Sequence, residues 1–237
     1  MSNNLMYRDL MQLVLDYGDL KISKKQLMSQ LDSADYMSLA SKIKKAAEFR
    51  SNKIVDRNLE VVYVTGPSGS GKTVLAKYLA DKLHFDYFVS GSGDDFLDKY
   101  DKEECIILDD FRASSMRFME VLKFLDNNTN STVRSRYYNK DISNTKLIVI
   151  TSVVQPSELY TMFQHDDNQE PVKQFYRRIG NRYFEINDKT GDIYEVDCYT
   201  LRETGNTLGN INDIFKELNI NVNKTKSSLL DKFLIKR

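Results

Sequence analysis

The chain has 237 residues, 41% of them hydrophobic, and its 34 Lys and Arg balance 34 Asp and Glu to a formal net charge of zero. That length allows one large domain with a real core, with or without a small companion. The neutral balance excludes a protein that coats nucleic acid with its whole surface, so any such contact must be a local stripe or loop. Cys105, Cys198, His84 and His165 stand too far apart in sequence for the ligand spacing of a zinc site. The opening MSNNLMYRDL lacks a signal-peptide pattern, and no apolar run reaches the roughly 18 residues of a membrane span. These features point to a protein that works inside a bacterial cytoplasm or a host cell, without a membrane partner.

Leu10, Leu13 and Leu15, then Leu27, Leu31, Met37, Leu39 and Ile43, recur mostly at helical steps. Residues 1–55 therefore form a small helical subdomain, with Gly18 between two helices and Ser33 as the cap of a third. Such a unit either packs on the main domain or serves as a collar through which subunits meet. From Glu60 the pattern changes. Short apolar strands are expected at Val61–Thr65, Phe85–Val89, Cys105–Asp109, Lys146–Thr151 and Tyr183–Asn187. Helices are expected at Lys72–Leu83, Ser114–Leu125, Glu158–Phe163 and Val172–Ile179. Alternation of this kind predicts an α/β fold, a mostly parallel sheet covered by helices, over residues 56–200. Asp188–Gly191 turns the chain into Ile193–Val196, and residues 201–237 read as a C-terminal extension with two short helix candidates.

Gly66–Thr73 reads GPSGSGKT, a complete G-x-x-x-x-G-K-[ST] motif placed between a strand and a helix. Gly66, Pro67, Ser68, Gly69, Ser70 and Gly71 form a loop whose N–H groups can face a phosphate. The helix that follows points its positive end at the same anion. Lys72 adds a charge at the β- and γ-phosphates, and the Thr73 hydroxyl can hold Mg²⁺. The expected cofactors are ATP and Mg²⁺. CIILDD, at Cys105–Asp110, is an apolar strand ending in two acids. We assign Asp109 to the metal and Asp110 to the attacking water, and the two roles can be exchanged. An adenylate-type kinase would need a lid and an acceptor site, and no segment reads clearly as either.

The order GPSGSGKT, IILDDF, a basic segment, IVITS with QPSELY, and then FYRRI resembles a superfamily 3 helicase. It is most similar to the helicase half of Rep-type replication initiators from circular single-stranded DNA viruses and related rolling-circle plasmids. The resemblance covers roughly residues 60–185. It implies a P-loop NTPase of AAA+/superfamily 3 type that works as a ring, a homo-oligomer of hexamer type built through residues 1–55 and the ATPase faces. It implies that the polar end of Ile148–Ser152 senses the γ-phosphate. Val153 stands where the family usually has Asn, and its side chain cannot hydrogen-bond, so either Ser152 or Thr151 takes that role or the sensor is weak. It implies that Phe175–Gly180 supplies an arginine finger to the next subunit. Arg177 and Arg178 lie about 100° apart on a helix, so one of them faces the nucleotide.

STVRSRYYNKD, at Ser131–Asp141, falls where the family carries a hairpin that enters the ring's channel. Thr132–Arg136 would be one arm, Tyr138–Asp141 would lie near the tip, and Ile142 would begin the return. Arg134, Arg136 and Lys140 would then meet phosphates of single-stranded DNA, and Tyr137 or Tyr138 would stack on a base or sugar. Full initiators of the family also carry a nuclease with paired histidines and a catalytic tyrosine upstream. The segment before Gly66 has no histidine, so no nicking activity is expected. The reading is an ATP-dependent DNA helicase of rolling-circle replication. An RNA helicase or RNA-bound ATPase, and a helicase loader that does not unwind, are the alternatives.

Overall fold

A computed structural model describes residues 7–53, 59–90, 96–127, 132–134, 139–163 and 170–218. The chain starts with helices α1 (Tyr7–Gly18), α2 (Lys24–Met28) and α3 (Ser33–Lys53). Leu10, Val14, Tyr17, Leu27, Leu39 and Ile43 close them into a small core of their own. Ser23 caps α2, with its hydroxyl accepting from Gln26 N and the Gln26 side chain accepting from Ser23 N. Asp32, rather than Ser33, caps α3. Its carboxylate accepts from Asp35 N at 2.8 Å, and Ser33 is already the first helical residue.

The rest is built on strands β1 (Glu60–Thr65), β2 (Tyr87–Val89), β3 (Cys105–Leu108), β6 (Leu147–Ser152), β7 (Arg182–Ile186), β8 (Asp192–Asp197) and β9 (Glu203–Asn210). Their order across the sheet is β2-β3-β6-β1-β7-β8-β9. The first five are parallel, and β8 and β9 add an antiparallel edge. Each strand of the parallel part alternates between two cores. Ile106, Leu108, Ile148, Ile150, Tyr63 and Tyr183 face one core, covered by α5 (Phe118–Phe124), α6 (Pro156–Phe163) and α7 (Val172–Arg178). Cys105, Ile107, Leu147, Val149, Val64 and Phe184 face the other, covered by α4 (Lys72–Lys82) and α8 (Ile211–Glu217). β3 and β6 are buried throughout, which is why both read as unbroken apolar runs. Among the described residues, no helix is long and apolar enough to cross a membrane.

Two departures from the sequence expectation have local causes. The helix expected at Ser114–Leu125 breaks into a 3-10 turn (Ala113–Ser115) and α5, because Met116 and Arg117 between them are extended. The sheet also runs past residue 200. β9 reads ETGNTLGN, has no apolar alternation and is exposed along most of its length, so periodicity gives no sign of it.

Arg50 fastens the helical unit to the sheet. It is 2% exposed. Its guanidinium donates to the Tyr17 and Ile22 carbonyls at 2.8 and 2.9 Å, to Glu104 Oε1 at 3.1 Å and to Asn144 Oδ1 at 2.9 Å. Beside this cluster Asp86 accepts Glu104 N at 2.8 Å. Burial, reinforced by the charges of Glu104 and Glu103 and opposed by Lys24 and the amide bond, pushes its carboxyl up to about 6. A carboxyl raised on folding adds stability while it is protonated, and that stability is lost as pH rises from the ordinary carboxylate range through about 6. Asp86→Asn keeps the acceptor and removes the charge. It should stabilise the protein by about 2 kcal/mol at pH 7.5 and by almost nothing at pH 4, measured by urea unfolding. A gain independent of pH would contradict this account of Asp86.

Candidate nucleotide site

The parallel register sets the site. β1 pairs with β6 from Glu60↔Leu147 to Thr65↔Ser152, and β3 pairs with β6 from Cys105↔Leu147 to Leu108↔Ile150. The ends of these three strands therefore lie side by side, with the Thr-Ser end of β6 between the phosphate loop and the acidic end of β3. The loop Gly66–Gly71 leaves β1 and enters α4. Gly69 and Gly71 have φ of 79° and 94°, a backbone region that an L side chain adopts only under strain. A Cβ on Gly71 would also stand 2.8 Å from Ile211 and 2.9 Å from Phe215, so α8 presses on the loop from behind.

Lys72 is buried, and its ammonium donates to the carbonyls of Gly66 and Pro67 at 2.7 Å each. Burial lowers its pKa, opposed by Asp110 and Asp109. Asp109 Oδ1 accepts from the hydroxyls of Thr73 at 2.6 Å and Thr151 at 2.9 Å. Thr151 Oγ1 in turn accepts from Asp110 N at 3.0 Å, and Ser90 Oγ accepts from Asp109 N at 3.3 Å. Asp110 has φ of 48°, and its exposed carboxylate pairs with Arg112 at 2.7 Å. Ser152 follows the strand's alternation to the other face, where its buried hydroxyl donates to Phe111 O at 2.9 Å. Of the two sensor candidates, Thr151 alone joins the group around Asp109. Val153 is half exposed.

The two arginines of α7 differ. Arg178 donates to Leu122 O at 2.8 Å, Gln174 O at 2.9 Å, Gln174 Oε1 at 3.0 Å and Asp126 Oδ2 at 3.1 Å. Arg177 is exposed, with a 3.4 Å contact to Gln174. Arg177 lines a groove with Leu59, Glu60 and Val61, at the entry end of β1, whereas the phosphate loop leaves its other end. Arg178 lines the same groove, and the six residues of β1 place both arginines about 20 Å from their own chain's phosphate loop.

The basic segment does form a hairpin. β4 (Thr132–Arg134) pairs antiparallel with β5 (Asn139–Asp141), in the register Thr132↔Asp141 to Arg134↔Asn139. Asn139–Asp141 is thus the returning strand rather than the tip. Arg134 and Lys140 lie on the two strands, and Arg136, Tyr137 and Tyr138 lie outside the described residues.

A protein-family model described as RNA helicase matches residues 62–154, from within β1 to two residues past β6. Over these residues the chain is similar to that family, which agrees with the order of motifs read along the sequence. It is 38% identical over 150 residues to a "Replication protein" of Onion yellows phytoplasma (strain OY-M), covering 61% of this chain and 40% of that one. It is 35% identical over 105 residues to a "Replication-associated protein" of canary circovirus, covering 44% of this chain and 33% of that one. The chain therefore spans well under half the length of these curated relatives.

The loop of this domain fits a polyphosphate on an observation of its own. Ser70 Oγ is buried and has no hydrogen-bond partner among the described residues, and Lys72 turns its charge onto the loop's own carbonyls. Two contributors were missed from sequence. Ser90 follows a strand of only three residues, and Arg112 reads as a surface charge. α8 itself is one of the helix candidates read in residues 201–237, from the spacing of Ile211, Ile214 and Phe215; only its packing on Gly71 is not readable. Gly71→Ala should weaken binding of a fluorescent ATP analogue at least tenfold and cost about 1–3 kcal/mol of stability in urea unfolding. Unchanged binding would contradict the role given to this turn.

Proposed function

We propose that this domain is an ATP-driven DNA helicase of replication that acts as a ring, hexameric by analogy with its family. The observation that carries the reading is the Thr73–Asp109–Thr151 group beside Lys72, at the mouth of a complete phosphate loop. Bound ATP with Mg²⁺ would supply a γ-phosphate made electrophilic by the metal. Lys72 would exchange the Gly66 and Pro67 carbonyls for β- and γ-phosphate oxygens. Thr73 and Asp109 would hold the metal, and Thr151 would fix the Asp109 carboxylate and sense the γ-phosphate. Asp110 would orient and deprotonate the attacking water once its pairing with Arg112 opens. Ser152 becomes a structural residue in this reading.

Arg177 is the finger proposed to complete the neighbour's site, since Arg178 would have to give up four hydrogen bonds to reach one. Exposed Tyr7, Leu15, Tyr36, Met37 and Phe49 on the helical unit support its use as a contact between subunits. The hairpin, with Arg134, Arg136, Tyr137, Tyr138 and Lys140, is proposed to grip single-stranded DNA. The RNA helicase description of the matching family model favours RNA as a second reading, and a loader that does not unwind is a third.

ATPase activity with and without single-stranded DNA tests the reading. The wild type should hydrolyse ATP and be stimulated by DNA, and Lys72→Ala should lose at least a hundredfold. Mixing Arg177→Ala with Lys72→Ala subunits should restore part of the activity, because an intact loop then meets an intact finger. A wild type without ATPase would sink the enzyme claim. Failure to complement would remove Arg177 from the finger role. Strand separation on forked DNA and RNA duplexes distinguishes the three readings.

A further inference from the structure

A cavity of about 190 Å³ opens on the face of β7 and β8 that carries Tyr183. Alternation puts Tyr183, Glu185 and Asn187 on one side of β7, and the register sets Tyr194 of β8 opposite Glu185. Gln155 and Glu203 stand at its sides. Tyr183 is 1% exposed and borders the cavity, and its hydroxyl makes no hydrogen bond to another described residue. Burial, and after it the charge of Glu185, raises its pKa, so it stays a neutral phenol. The carboxylates of Glu185 and Glu203 have no hydrogen-bond or ion-pair partner among the described residues, and no described lysine or arginine lines the cavity. Two uncompensated carboxylates repel an anion, a phosphate included. Beside two tyrosine rings they suit a guanidinium, which meets carboxylates along its edge and aromatic rings on its face.

The chain carries the complementary surface itself, in the groove lined by Arg177, Arg178 and Arg182. Arg178 is held by four hydrogen bonds. The Arg182 side chain is half exposed, 3.2 Å from Glu195 and 3.9 Å from Glu60. Glu195 keeps Thr204 at 2.8 Å and Asn206 at 3.0 Å when Arg182 leaves it. Arg182 and Tyr183 are consecutive on a strand and point to opposite faces, so Arg182 does not enter the cavity of its own chain. We propose that the cavity seats Arg182 of a second copy of the chain, between the carboxylates of Glu185 and Glu203 and the Tyr183 hydroxyl. The proposal rests on the ring reading and deepens it. Glu185 pairs with Thr65, the residue before the phosphate loop, so the cavity adjoins the nucleotide site. Arg177 and Arg182 line one groove, so a neighbour that brings the first to the nucleotide brings the second to the cavity. A groove that meets a different surface on the next copy makes a head-to-tail contact, the kind that closes into rings.

Sedimentation velocity with a non-hydrolysable ATP analogue and Mg²⁺ tests the contact. The proteins are the wild type, Glu203→Arg, Arg182→Glu and the chain with both changes, with a thermal melt as the folding control. Glu203 is exposed, so its replacement leaves the core intact. Each single change should weaken assembly at least about tenfold. The reversed pair should recover at least half of the wild-type assembly, because the two charges meet again with exchanged signs. Single variants that assemble like the wild type would overturn the proposal and leave the ring reading standing. So would a reversed pair no better than the single variants. A wild type that stays monomeric would overturn the ring reading, and the proposal with it. Should Arg182→Glu fail to fold, Arg182→Cys and Glu203→Cys subunits are mixed and treated with a short bis-maleimide, with Cys105 and Cys198 buried out of its reach. A covalent dimer that forms only in the mixture supports the contact, and its absence overturns it.

Discussion

The site depends on the parallel register that lays β6 between β1 and β3. Alternation along a strand decides which side chains meet, and a slip of one residue would exchange every face. In the observed register Asp109 and Thr151 fall on the α4 side, where Thr73 opens the helix, and a single carboxylate oxygen gathers both hydroxyls. Ser152, the next residue, is sent into the opposite core to hold the turn at Phe111. The apolar faces of β3 and β6 fix that register, because each buries alternate residues in two separate cores. Packing therefore specifies the chemistry of the site before any charge is considered.

Two further attachments brace this arrangement. α8 presses Ile211 and Phe215 against the start of α4, leaving no room for a side chain on Gly71. Arg50 joins the helical unit to the entry ends of β3 and β6. A buried ion pair of this kind adds little net stability, and losing one partner of it is costly. Its value here is geometric. It holds the helices and the sheet in one orientation, and the orphaned second oxygen of Glu104 shows that the cluster is not fully satisfied among the described residues.

Much of this was legible in the sequence where chemistry and periodicity coincide. GPSGSGKT lies between a β-branched run and an amphipathic helix, so loop, strand and helix were all readable. CIILDD and KLIVIT were readable because a strand buried on both faces is an uninterrupted apolar run. Other features depend on tertiary contacts that no local pattern records. The different partners of Thr151 and Ser152 need the register, and the difference between exposed Arg177 and bonded Arg178 needs Leu122 and Asp126. β9 forms because β8 offers it an edge, not because ETGNTLGN favours a strand. Arg50, in a helix of mixed polarity, looks like any surface arginine until its partners are in place.

Strand alternation puts the Thr151 hydroxyl, and not that of Ser152, on Asp109, and on that ground Thr151 is proposed as the sensing hydroxyl. ATP hydrolysis by Thr151→Val and Ser152→Ala, alongside binding of a fluorescent ATP analogue, tests it most directly. Thr151→Val should lose at least about tenfold in turnover while still binding the analogue, and Ser152→Ala should stay within about twofold of the wild type. The reverse pattern, with Ser152→Ala inactive and Thr151→Val near normal, would contradict the account.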